Sequence, residues 1–188
     1  ILPEQYVQDA FIHKRDEAAG MRRMGDIYRI YRQRCFKANA MDFDDLLLNI
    51  YLLFKTHDTI RQRYAEMFKH ILVDEYQDTN YAQYMIISQL THPNSKICVV
   101  GDDAQSIYSF RGANIDNILN FQKQFPSTVL TKLECNYRST TSIVEAANSI
   151  IQNNRHQIPK KVYSVQGEGN PLCLYTTYSD KDESAKVA

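Results

Sequence analysis

Two short apolar runs organise the middle of the chain. Ile71-Leu72-Val73 stops at Asp74-Glu75-Tyr76-Gln77-Asp78-Thr79, and Ile97-Cys98-Val99-Val100 stops at Gly101-Asp102-Asp103-Ala104-Gln105. Short unbroken runs of this kind predict buried strands of a parallel sheet, over His70 to Asp74 and Lys96 to Gly101. Around them the apolar spacing switches to three and four. Phe43, Leu46, Leu47, Ile50, Tyr51 and Phe54 share one helical face behind Asp42, which stands where an N-cap would, so a helix should start there and bury that face. Further helices are predicted over Thr59 to Lys69, near Tyr81 to Leu90, and over Asn114 to Phe125 with Pro126 as its stop. Thr128 to Leu133 reads as a third strand. Strand and helix in alternation predict a parallel α/β sheet flanked by helices.

The two ends of the chain have a different texture. Between Pro3 and about Ala40, Met21, Met24, Tyr28, Tyr31 and Cys35 recur at three and four with five arginines among them, which predicts one long amphipathic helix. Its arginines read as a solvated face, with phosphate contact as the alternative. After Arg138, Ile143, Ala146, Ala147, Ile150 and Ile151 mark another amphipathic helix, with Ser142 and Glu145 spaced as a capping box. Leu172 to Tyr175 reads as a strand, and Asp180 to Ala188 as the first turns of a helix. There is no repeat or low-complexity segment.

Strands that end in carboxylates and amides describe a phosphate and metal site at the rim of a parallel sheet. A metal-assisted phosphoryl transfer needs one carboxylate for the magnesium hydration shell, one to orient the attacking water, and a polar group to sense the terminal phosphate; Asp74, Glu75 and Gln105 fit those roles. Taken alone, the Asp-Glu pair also fits a helix cap. No G-x-x-x-x-G-K-S/T loop occurs, so only half of a nucleotide site is present. Asp44 and Asp45, at a helix start, read as capping and solvated residues rather than metal ligands.

Composition adds limits. With 188 residues, 44% of them hydrophobic, the chain can build a core. Lys+Arg 22 against Asp+Glu 22 leaves no net charge, so the global balance argues neither for nor against nucleic acid. Cys35, Cys98, Cys135 and Cys173 form no C-x-x-C pair, which argues against zinc and for free thiols in a reducing compartment. The histidines are scattered and carry no assigned chemistry. No stretch approaches the roughly 20 apolar residues of a membrane span, and no signal peptide opens the chain. It starts at Ile1 without an initiator methionine, as a piece of a longer protein would.

Longer strings narrow the reading. Val73-Asp74-Glu75-Tyr76-Gln77-Asp78-Thr79, the run from Val100 to Ala113 (VGDDAQSIYSFRGA), and Leu133-Glu134-Cys135-Asn136-Tyr137-Arg138-Ser139-Thr140 closely resemble motifs II, III and IV of the UvrD/Rep/PcrA group of superfamily 1 DNA helicases. Met41-Asp42-Phe43-Asp44-Asp45-Leu46-Leu47 resembles the segment that precedes motif II there. The strings occur in the family's order, and the resemblance covers essentially the whole chain.

That resemblance implies a RecA-like P-loop NTPase fold, incomplete here: the end of a helical insertion (1–41), the later half of a first motor domain (42–134) and the start of a second (135–188). It implies ATP and Mg2+ as cofactors, Asp74 on the metal, Glu75 polarising the water, and Gln105 on the terminal phosphate. Tyr137 would stack on adenine and Arg138 would reach the terminal phosphate, a structural ion pair being the alternative for Arg138. Tyr108, Phe110 and Arg111 would form a stacking surface for single-stranded DNA, with Phe110 where the family often carries tryptophan. The implied activity is 3′ to 5′ translocation on single strands and unwinding at duplex junctions, in the cytoplasm at the nucleoid, beside repair or replication proteins. The rivals are a helicase subunit of a helicase–nuclease complex and a catalytically dead DNA-binding scaffold. This chain alone, lacking the phosphate loop, is expected to be inactive.

Overall fold

Where the arginine-rich periodicity predicts one helix, the chain makes three: α1 (Pro3–Gln8), α2 (Ala10–Ala18) and α3 (Met24–Lys37). The computed structural model describes residues 1–188. The breaks have local causes. The Asp9 carboxylate accepts hydrogen bonds from the Phe11 and Ile12 N–H groups and starts α2 afresh, and Gly20 at φ 73° turns the chain out of it. The pieces are then tied across the gaps. The Tyr6 hydroxyl donates to Asp16 at 2.6 Å, and the Tyr6 and Tyr28 rings meet edge to face at 5.7 Å. One arginine departs from the solvated reading: Arg32 Nε lies 3.4 Å from Asp45 Oδ1, with both side chains largely covered.

α4 (Phe43–Thr56) begins where the pattern places it, with Asp42 accepting from the Asp45 N–H at 2.7 Å. That bond, with the Tyr31 hydroxyl beside it, holds the Asp42 carboxyl below the usual range. Asp44 is exposed as expected, but Asp45 is buried by its pairing with Arg32 rather than solvated. α4 packs on α5 (Asp58–Met67) and α6 (Tyr81–Leu90). Its predicted face is buried only in part: Phe54 is in the core, whereas Phe43 is 87% exposed.

β1 (His70–Val73) and β2 (Lys96–Val99) pair in parallel, Ile71 opposite Ile97 and Val73 opposite Val99. These β-branched residues share one half-buried face, and Leu72 on the other face is 76% exposed. Burial on both faces is thus not found, because helical side chains gather around Val73 and none covers Leu72.

Ile1–Asp102 with Ser106–Asn117 form one compact unit, and Asp103–Gln105 with Ile118–Ala188 form a second. The helix expected over Asn114 to Phe125 splits at Asn120 into α7 (Asp116–Leu119) and α8 (Phe121–Gln124). The second unit has its own small core of Ile118, Phe121 and Val144. Its sheet is minimal: β3 (Cys135–Asn136) pairs in parallel with β4 (Tyr163–Ser164), following α9 (Thr141–Ile151). α10 (Asp180–Val187) closes the chain, capped by Ser179. The strands expected over Thr128 to Leu133 and Leu172 to Tyr175 do not form, because no ladder partner lies beside them; Leu133 and Leu174 are 82% and 96% exposed. The expected Ser142/Glu145 capping box is also absent: α9 starts two residues earlier, with Thr140 at the N-cap position, and the Ser142 hydroxyl donates to the Glu168 carbonyl instead.

Candidate functional site

At the end of β1 the backbone turns sharply. Glu75 adopts the left-handed conformation, φ 49° and ψ 43°, its N–H donating to Asp74 Oδ1, and the chain enters a 3-10 turn over Tyr76–Asp78. The turn is fastened to the neighbouring strand. Tyr76 N–H donates to the Val100 carbonyl and Val100 N–H to the Val73 carbonyl, which holds the two strand ends at one level. Tyr76 is 1% exposed, and burial pushes its phenol up to about 12.

Asp74 and Glu75 stand at the rim of a cleft of about 370 Å³ in the first unit. Leu47, Val73, Ile86 and Ile87 make its apolar part, and Asp74, Glu75, Asp78, Thr79 and Gln83 its polar part. Asp78 Oδ1 is buried without a hydrogen-bond partner. A bare carboxylate oxygen on a cleft with two further carboxylates is a donor set for a hard cation or its water shell. No three acidic groups converge closely enough to make a complete ligand set, so an ion held here would keep most of its water.

Gln77, which the sequence reading passed over, is 1% exposed beneath this rim. Its Nε2 donates to Glu75 Oε2 at 2.8 Å, and its Oε1 accepts from the Asp102 N–H at 3.0 Å. Its carbonyl also accepts from the Ser106 hydroxyl at 3.3 Å.

The segment from Ser106 carries the aromatic cluster. Arg111 lies 5.5 Å from the centres of both the Tyr108 and the Phe110 rings, which are themselves 6.0 Å apart, so the structure brings these three together as expected. Phe110 is 76% exposed and is not core packing. Gly112 at φ 85° closes the turn. The loop returns to the acidic turn through an Asn80–Ala113 bridge, the Asn114 N–H on the Thr79 carbonyl, and the Asn117 amide on Thr79. Thr79 and Asn117 are thus anchors that the sequence pattern did not flag.

In the second unit, Gln105 lies on the 3-10 turn Asp103–Gln105. Asp103 fixes this turn: its carboxylate accepts from the Ile158 N–H at 2.8 Å and pairs with Lys160 at 3.4 Å. Asn136 makes a second anchor, its Oδ1 accepting from the Arg138 and Ser139 N–H groups. Tyr137 and Arg138 project from that turn, both exposed, and Arg138 enters none of the chain's ion pairs. Hydrogen bonding with the Cys135 thiol raises the Tyr137 phenol above its ordinary value. Asp74, Glu75, Tyr108, Phe110 and Arg111 therefore lie in the first unit, and Gln105, Tyr137 and Arg138 in the second.

Comparison with known proteins decides the family. The model of the UvrD/REP helicase N-terminal domain matches residues 2–126, and that of the UvrD-like helicase C-terminal domain matches residues 131–188. The chain belongs to the UvrD/Rep helicase family. Among its UvrD/Rep relatives, the ATP-dependent DNA helicase PcrA of Leuconostoc citreum is 40% identical over 86% of this chain and 22% of its own length. DNA helicase II of Haemophilus influenzae is 43% identical over 86% of this chain and 22% of its own length. The ATP-dependent DNA helicase Rep of Buchnera aphidicola is 44% identical over 86% of this chain and 25% of its own length. The chain thus spans about a quarter or less of the UvrD/Rep relatives it matches.

Proposed function

We propose that this chain is part of an ATP-dependent DNA helicase that moves 3′ to 5′ along single strands and opens duplex junctions. One observation carries the reading: β1 runs directly into Asp74 and a left-handed Glu75 on the rim of a cleft, in a chain of the UvrD/Rep family. The parallel β1–β2 pair with α4 and α6 supports a RecA-like motor core, and the change of family model between residues 126 and 131 supports a second motor domain beginning near 135. Residues 1–41, the three-helix piece, are assigned to a helical insertion.

Asp74 would hold magnesium through its water shell, the metal supplying charge neutralisation at the phosphates. Glu75 would accept the proton of the attacking water, and Gln105 and Arg138 are assigned to the terminal phosphate. Tyr137 offers adenine an exposed ring. Tyr108, Phe110 and Arg111 stack unpaired bases and hold a backbone phosphate. Because the loop that carries them is hydrogen-bonded to Gln77, Thr79 and Asn80, DNA contact and the acidic turn are mechanically joined. The setting is the nucleoid, beside repair or replication proteins.

The test is hydrolysis by the full-length protein that carries this chain, with and without single-stranded DNA, and displacement of blocks from either DNA end to read direction. Glu75→Gln should leave nucleotide binding nearly unchanged and collapse turnover, since the amide keeps size but cannot take a proton. Normal turnover in that variant, or no DNA-stimulated hydrolysis in the parent, would sink the reading in favour of a scaffold.

A further inference from the structure

Gln77 occupies a place that no assigned role uses. It is a fully covered amide inside an acidic turn, and three of its polar atoms are committed to two separate segments. Its Nε2 faces carboxylates only, Glu75 Oε2 at 2.8 Å and Asp78 Oδ2 at 3.4 Å, while its Oε1 meets the Asp102 N–H. The amide can have no other orientation: turned over, its oxygen would face two carboxylates and its NH2 would face a donor.

We propose that Gln77 is a positioning residue that holds the Glu75 carboxylate in its working orientation and joins it to Asp102 and Ser106. The inference rests on the proposed hydrolysis. Glu75 is exposed and stands on a left-handed backbone, so without a partner its side chain would sample several rotamers. One donor from a buried, hydrogen-bonded amide selects among them, as the partners that orient metal ligands and general bases do. The same amide takes the first N–H of the segment that leads to Gln105, and the Gln77 carbonyl takes the Ser106 hydroxyl that opens the DNA-facing loop. Movement of Asp102 or Ser106 therefore reaches Glu75 through one side chain.

Two variants in the full-length protein separate the parts. Gln77→Glu keeps the shape and the acceptor for Asp102 but removes the donor to Glu75; Gln77→Leu removes both. Each should lower kcat by about tenfold or more with KM for ATP changed by no more than about threefold. In a Glu75→Gln background, where the carboxylate is gone, the same changes should cost no more than about twofold. Hydrogen exchange supplies a readout without turnover: the Asp102 amide should exchange faster in Gln77→Leu and stay protected in Gln77→Glu. Unchanged kcat in both variants, equal losses in both backgrounds, or an Asp102 amide indifferent to Gln77→Leu would overturn the inference while leaving Glu75 as the base. Normal turnover in Glu75→Gln alone would instead remove the proposed function beneath it.

Discussion

A glutamate in left-handed backbone costs roughly 1 kcal/mol or more, and Glu75 persists there because hydrogen bonds on both sides over-determine the turn. That strain points to a side chain wanted at this spot. The placement of Asp74 and Glu75 at a strand end and the clustering of Tyr108, Phe110 and Arg111 were legible from sequence, since their strings are contiguous. Gln77 and Asp103 were not, because their partners lie 25 and 55 residues away and a lone amide or acid in a polar string carries no sign of burial. For the exposed cluster, Tyr108→Ala in the full-length protein should cost a stacking contact of about 1 to 3 kcal/mol per base in single-strand affinity and leave DNA-free nucleotide binding intact. Arg111→Ala should also flatten the salt dependence of DNA binding by about one unit of slope. Normal binding with a lowered melting temperature would return both residues to packing. Buried Tyr76 gives a pH effect of definite sign. Its phenol ionises near 10.0 when unfolded and at about 12 when folded, so the unfolded chain loses the proton first and stability falls as pH rises through that window. Denaturant titrations across it should show a shallower decline in Tyr76→Phe.

At the scale of elements, α4 and the paired strands β1 and β2 form where the sequence places them, while two lone apolar stretches make no strand, for one physical reason. A helix satisfies its backbone within its own segment, so Asp42 and the spacing after it suffice to place α4. A strand needs a partner from elsewhere, and the apolar stretches at Thr128 to Leu133 and Leu172 to Tyr175 have none, so they form no strand and leave Leu133 and Leu174 exposed. Caps divide in the same way. Ser142 and Glu145 have the right spacing, but the Glu168 carbonyl competes for the serine. The box that does form is at α6, where the Asn80 side chain accepts from the Gln83 N–H at 3.0 Å and the Gln83 side chain accepts from the Asn80 N–H at 2.9 Å. Asn80→Ala should therefore lower stability by about 1 kcal/mol, read as a shifted denaturant midpoint with unchanged slope. Because Asn80 also bridges to Ala113, exchange of the Asn114 amide should quicken in the same variant. No change in either quantity would show that the box is ornamental to this helix.

For the whole molecule, the division into two units matters more than either fold. Asp74 and Glu75, the carboxylates proposed for hydrolysis, lie in one unit, and Gln105, Tyr137 and Arg138, proposed for the terminal phosphate and adenine, lie in the other. Both units also leave large apolar side chains bare, among them Phe43 and Leu72 in the first and Leu133 and Leu174 in the second. Within these 188 residues there is no G-x-x-x-x-G-K-S/T loop to place amide donors and a lysine on the β and γ phosphates. The Asp74 and Glu75 carboxylates repel an unneutralised triphosphate, so this chain by itself should show no measurable ATP hydrolysis with or without DNA. The comparison that checks it is release of inorganic phosphate by the purified chain against the full-length protein at equal concentration. DNA-stimulated release by the chain alone would mean that its own residues cradle the phosphates, and the division of labour argued for the two units would fail with it.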